Sequence, residues 1–260
     1  MPKAKRSITI IYYGLLLLTV ACTPQKPKNE VLVMGMIHSG HWTVEGYNIE
    51  VVNSLVRAID PDYILVEIPP DRYPIAKKEF DENDTITEPR TRVFPEYVEG
   101  LFPLSKELDF EMIPTAGWTA PMNSYRRQKL NAIRNDTSRT DDWATYTEAG
   151  QRSARIMEEM GNRNDPYFIH TDLYDSIVDI RYQVYNELFN EELLLGGWDN
   201  INIAHYWHIE KALEKHRYEG KRFLITYGAG HKGWFLRELR KRDDITLLEM
   251  KPFLDQVLKK

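Results

Sequence analysis

Apolar residues along this chain come in short unbroken runs, separated by stretches in which they recur every three or four positions. That is the pattern of strands buried on both faces alternating with amphipathic helices. Val31-Leu32-Val33-Met34 is the first run. Ile49, Val52, Val56 and Ile59 then fall at helical spacing and predict a helix over about residues 44–59. Pro61-Asp62 ends it, and Tyr63 to Ile68 reads as a second buried strand, stopped by Pro69-Pro70. Strand, helix and strand within about 38 residues predict a right-handed βαβ unit.

Residues 71–100 are polar and rich in Pro, Asp and Glu, and read as an irregular excursion. A short helix leads into a third strand, Phe110 to Pro114. No strand pattern recurs between about 121 and 195, where Arg126–Arg134, Trp143–Met160 and Tyr174–Leu195 have helical character. The last block returns to alternation: a helix near 200–216, a strand Arg222–Tyr227, a helix near 233–242 and a strand Ile245–Glu249. The expected fold is therefore α/β, a central mostly parallel sheet flanked by helices, with a helical lid or subdomain inserted at about 121–195.

The N-terminus changes the picture of where the domain begins. Lys3, Lys5 and Arg6 precede an apolar run from Ile8 to Leu18, too short for a comfortable membrane span but suited to a signal peptide. Cys22, the only cysteine, stands where a small-residue cleavage site belongs, after Thr19-Val20-Ala21. This resembles the lipobox of bacterial lipoproteins, with Leu18 one place early. An ordinary signal peptide with a chance cysteine is the competing reading. Residues 1–22 are thus expected to be a leader, 23–29 a tether, and 30–260 one domain, exported and held at a bacterial membrane through lipid on Cys22. Cleavage after residue 21 would take the net charge from −5 to −8. An acidic domain lacks the concentrated basic face that nucleic acid requires. With no second cysteine there is no intrachain disulfide, and stability rests on packing, which the 42% hydrophobic content can supply.

Candidate chemistry is concentrated in two similar turns. Gly35-Met36-Ile37-His38 follows the first strand, and Gly228-Ala229-Gly230-His231 follows the Arg222–Tyr227 strand. A glycine at a strand end allows a sharp turn and close approach of a ligand to the backbone. Each histidine then projects from the carboxyl edge of a sheet, where open α/β folds place ligands. One Gly-x-x-His alone is a common tetrapeptide; two after buried strands argue for a shared site. Glu67, inside the apolar run 64–68, is the third member, because a carboxylate there is costly unless paired or used. If the first two strands are adjacent and parallel, Glu67 and His38 share one edge. A solvent-facing glutamate on an edge strand is the alternative. Burial would raise the pKa of Glu67, and a neighbouring cation would lower it; both suit acid–base work or metal ligation.

This spacing resembles the TraB/TIKI-like proteins within the erythromycin esterase/ChaN-like superfamily, through Gly35, His38, Glu67, Gly228, Gly230 and His231. The resemblance covers about residues 30–69, 105–118 and 196–250. Asn200 and its neighbours look like the family's helix opening with Arg-Asn, although Asp199 stands in the Arg position and Met36 where Thr or Ser is usual. The resemblance implies a hydrolase acting on a small-molecule or peptide substrate, with His38, Glu67 and His231 catalytic. It also implies a divalent metal (Mn, Co or Zn) on those same residues, or else haem iron bound without catalysis. In the hydrolase reading, Glu67 or His38 activates water, and His231 steadies the oxyanion or protonates the leaving group. A degenerate relative acting only as a surface interaction module is the third reading.

Several other residues carry weaker signals. His41 reads either as an additional ligand or as an exposed loop histidine. His205 and His208, three apart on a helix, either bridge a metal or bury an aromatic face. Asp175, Asp179 and Arg181 either reach the site from a lid helix or form a solvated face, and the cluster Arg126, Arg127, Lys129 either meets an anion or lies on the surface. His170 and His216 read as structural. No Gly-x-Ser-x-Gly elbow, P-loop or dinucleotide glycine pattern occurs.

Overall fold

The computed structural model describes residues 26–161 and 163–259, so Cys22 and the leader lie outside the described residues. Five strands form one sheet: β1 (Asn29–Met36), β2 (Tyr63–Val66), β3 (Glu111–Pro114), β4 (Arg222–Gly228) and β5 (Ile245–Leu247). All pairings are parallel, in the order β3-β2-β4-β1-β5. β1 and β2 are therefore not neighbours. The strand from the far end of the sequence lies between them, an arrangement that local spacing in a βαβ unit does not specify. Asn29, expected in the tether, already belongs to β1.

Among the described residues ten helices flank the sheet: α1 (Ile49–Ile59), α2 (Tyr73–Asn83), α3 (Phe102–Leu104), α4 (Ala120–Asn135), α5 (Thr140–Glu159), α6 (Pro166–Ile169), α7 (Asp172–Phe189), α8 (Trp198–Lys215), α9 (Ala229–Leu239) and α10 (Lys251–Leu258). α1 begins later than its apolar spacing suggests because Asn48 caps it, accepting the Val51 N–H, after two 3₁₀ turns. The stretch 71–100, expected to be irregular, holds α2 and a π-helix at Glu96–Leu101. Only Ala76 and Phe80 of α2 are buried, too few apolar positions to give a readable period.

Alternate strand residues feed two cores, as strand geometry requires. Leu32, Met34, Ile64 and Val66 pack with α1 and α10 on one face, while Val31, Val33, Leu65, Phe223 and Ile225 pack with α8 and α9 on the other. A third cluster joins the inserted helices to α8 through Ile133, Tyr185, Phe189, Trp198 and Ile201. Three ion pairs clasp α7 to α9: Asp175–Lys232 at 2.6 Å, Asp179–Arg237 at 2.8 Å and Asp172–Arg240 at 3.1 Å. Of the two readings of Asp175 and Asp179, reach into a site gives way to pairing with Lys232 and Arg237, and Asp175 is buried and not on a solvated face.

Candidate functional site

Sheet register brings the two glycine–histidine motifs and Glu67 to one edge. Met36 pairs with Gly228 across β1 and β4, and Val66 pairs with Thr226 across β2 and β4. The carboxyl ends of three adjacent strands thus finish together, with β4 in the middle. Neither Gly35 nor Gly228 has a positive φ, so their role is close approach and not a left-handed turn. A Cβ on Gly228 would lie 2.5 Å from His38 Nε2, and one on Gly35 would meet Ile169 at 2.9 Å and the Ala229 backbone at 3.1 Å. Gly230 is less constrained, with Trp198 at 3.6 Å. α9 begins at Ala229, so His231 sits in the first helical turn and not ahead of it.

Glu67 is buried, just beyond β2, and is not an edge residue facing solvent. Its Oε2 accepts the Gly228 N–H at 2.8 Å, and its own N–H donates to the Tyr97 hydroxyl. Burial pushes its pKa up, against the lowering effects of His38 and the Gly228 N–H. His38 stands 3.9 Å from one carboxylate oxygen and His231 4.0 Å from the other.

The two histidines flanking Glu67 are in opposite states. His38, in the left-handed region at φ 50°, shares a 2.7 Å hydrogen bond between its Nδ1 and Glu96 Oε1. Burial alone would lower its pKa, but that bond and the charges of Glu67 and Glu96 outweigh burial and raise it to about 9. His38 is an imidazolium at neutral pH. His231 donates its Nδ1–H to Asn202 Oδ1 at 2.6 Å, and Asn202 is held by its own amide bond to the Trp198 carbonyl. The ring stacks on Trp198 at 4.6 Å, which stacks in turn on Tyr182 at 3.5 Å. Burial, with His38 and Arg126 adding positive charge, pushes the His231 pKa down to about 3. Its Nε2 therefore keeps a bare lone pair.

In these protonation states two of the expected roles, His38 as water activator and His231 as proton donor, are disfavoured, while Glu67 keeps its place between them. A protonated His38 has no lone pair with which to activate water, and an unprotonated His231 has no Nε2 proton to give. His38 and His231 open onto a cleft of about 390 Å³, walled by Met36, Met157, Tyr182, Trp198 and Arg163.

The secondary candidates separate cleanly. His41 is buried, and both ring nitrogens are taken by backbone, Nε2 by the Ile37 N–H and Nδ1 by the Tyr47 carbonyl. It is neither exposed nor a free ligand. His170 is saturated in the same way by Gly35 and Pro166, and His216 meets Glu219. Asn200 bonds the Leu194 carbonyl and braces the loop before α8, while Asp199 accepts from Trp234. Arg126 lies over Trp118. His205 does reach the site: it is fully buried, with its ring centre 5.1 Å from that of His231.

Glu96 and Asn202 were not anticipated. Phe94, Tyr97, Val98, Leu101 and Phe102 carry a helical period through the Glu96 segment, the one signal that could have flagged it. Asn202 lies three residues before His205, hence on the same helical face.

The donor set does not fit a divalent ion. One atom each from Glu67, His205 and His231 lies within 4.8 Å of the others, and His38 stands outside that group. Three evenly spaced ligands at ~2.1 Å from a metal sit at most ~3.6 Å apart, closer than the 4.0 Å between Glu67 and His231. Chemistry agrees with distance. His205 Nδ1 accepts the Gly117 N–H at 2.8 Å, so a neutral ring carries its proton on Nε2 and offers no lone pair.

Fold and site together define an α/β protein with a His–Glu–His constellation at the carboxyl edge of a parallel sheet. Comparison with protein-family models, curated proteins and solved structures gave no significant match.

Proposed function

We propose that this chain is a hydrolase of the TraB/TIKI-like type, acting on an ester or amide of a small molecule or peptide. The observation that carries this reading is the Glu67 carboxylate held between a protonated His38 and an unprotonated His231. Two groups pushed to opposite protonation states beside one carboxylate are the ingredients of general acid–base catalysis. Export and lipid anchoring through Cys22 remain part of the proposal; no described helix is long and apolar enough to cross a membrane.

In this reading Glu67 is the general base. Its raised pKa makes it a better proton acceptor than a solvated carboxylate. His231 Nε2 accepts the second hydrogen of the attacking water and orients it. The water oxygen bonds to the carbonyl carbon as Glu67 takes a proton. The imidazolium of His38 stabilises the developing oxyanion and then gives its Nε2 proton to the leaving oxygen or nitrogen as the scissile bond breaks. α9 has no side-chain cap, and Ala229 and Gly230 of its first turn line the cleft, so its N-terminal field favours the same negative charge.

Haem binding without catalysis is less well supported. An axial ligand needs an accessible neutral nitrogen, whereas His38 is protonated and His231 Nε2 faces Glu67. The test is turnover of a broad panel of aryl esters, lactones and peptides by wild type and Glu67→Gln. Activity abolished in the variant supports the proposal; a silent panel, together with a haem spectrum that changes on binding and depends on His38, overturns it.

A further inference from the structure

The neutral His205 ring has its only hydrogen-bonding proton on Nε2. That atom is fully buried and has no partner among the described residues. A buried donor left unmade carries a desolvation cost that a hydrogen-bond partner at Nε2 would offset. The His205 ring shares a cluster with Glu67 and His231, whose Oε1 and Nε2 stand 4.0 Å apart and can each accept a hydrogen. One oxygen at a hydrogen-bond length of ~2.8 Å from three evenly spaced atoms spans atoms ~4.8 Å apart. The Glu67, His205 and His231 cluster lies within 4.8 Å. Its 4.0 Å Glu67–His231 separation exceeds the ~3.6 Å that three ligands on one ion allow, whereas a single water accommodates separations up to ~4.8 Å.

We infer that Glu67, His205 and His231 form a metal-free binding site for a single water, held by two acceptors and one donor. The site matches its ligand atom for atom. Water donates its two hydrogens to Glu67 Oε1 and His231 Nε2, and its oxygen accepts from His205 Nε2–H. Each histidine is locked in the tautomer this requires, His231 by Asn202 and His205 by the Gly117 N–H. The donor also disfavours a cation, because it presents a hydrogen where a metal needs a lone pair. The water's part as nucleophile rests on the proposed hydrolase; the site itself does not.

The experiment uses the full chain, in detergent if it is lipidated. Long-range nitrogen–proton correlation spectra of the imidazole rings read the His205 tautomer, with and without excess Zn²⁺, Co²⁺ or Mn²⁺, and equilibrium dialysis counts bound ion. The expected result is His205 protonated on Nε2 throughout and no ion that is lost in both Glu67→Gln and His205→Gln. One ion per chain lost in both variants, or a His205 protonated on Nδ1, overturns the inference. Should the ester panel be silent, these two readouts still decide it, so the two claims fail separately. Where turnover is found, His205→Leu is expected to lower kcat by roughly tenfold or more, with KM little changed, because the lost donor acts on the attacking oxygen. His205→Gln, which keeps an N–H near the ε position, recovers part of that loss. Equal loss in two folded variants overturns the donor role. If the leucine variant fails to fold, the wild-type tautomer and ion count carry the decision.

Discussion

Replacing Glu96 with Gln removes a charge without removing the hydrogen-bond acceptor that His38 needs. In the wild type, Glu96 Oε1 lies 2.7 Å from His38 Nδ1, and the carboxyl group is fully buried. The His38 side chain is 34% exposed, so solvent screens part of this pairing. A charge-assisted bond of this kind contributes about 1.5–3 kcal/mol, and the low end applies to a partly open group. One pKa unit corresponds to about 1.4 kcal/mol, so the His38 pKa should fall by about one unit in the variant. Two assays read this. The His38 ring protons, followed by NMR across pH, should titrate near pH 9 in the wild type and about one unit lower in Glu96→Gln. If His38 is the acid, the alkaline limb of kcat/KM should move by the same amount. The sign for stability follows from the same shift. A histidine with a raised folded-state pKa stabilises the fold fully below its unfolded pKa of about 6.5, and that contribution fades as pH rises through about 9. The stability gap between wild type and variant should therefore be largest below neutrality and close in alkali. An unmoved His38 titration in a folded Glu96→Gln protein would refute this account of the imidazolium.

Three further outcomes are expected. Gly228→Ala should displace His38, because the new methyl would sit 2.5 Å from its Nε2, whereas Gly230→Ala, with 3.6 Å to Trp198, should be near neutral; spectra of the His38 ring in both variants check this. Asn202→Leu should release the His231 tautomer and lower turnover by roughly tenfold to a hundredfold, measured beside a melt that shows the fold intact. Lys232→Met should destabilise by about 3–5 kcal/mol in urea melts by leaving the Asp175 carboxylate buried and uncompensated, and Asp175→Leu in the same chain should restore much of it.

The strands and most helices were legible in the sequence because burial on two faces and burial on one face leave different periods. Val31–Met34, Tyr63–Val66 and Arg222–Tyr227 are continuous apolar runs, and the structure buries nearly all of them. His38, Glu67 and His231 were legible as candidates for a related reason: a polar residue closing an apolar run has no packing role to explain it. α2 was missed because two buried side chains make no period, and α10 because Pro252 and a short segment hid its face.

What tertiary structure decided is which of these residues meet and in what protonation state. Strand order is set by long-range pairing, and only the insertion of β4 between β1 and β2 puts His38 and His231 on opposite sides of Glu67. The partners that tune them, Glu96, Asn202 and Gly117, come from segments remote in sequence from the residues they hold. A pKa depends on desolvation and on charges within a few ångströms, and neither has a period along the chain. Sequence alone therefore determined the α/β layering and the residues at its carboxyl edge. The protonated His38, the unprotonated His231 and the unpartnered His205 Nε2 emerged only when the fold brought those distant groups into contact.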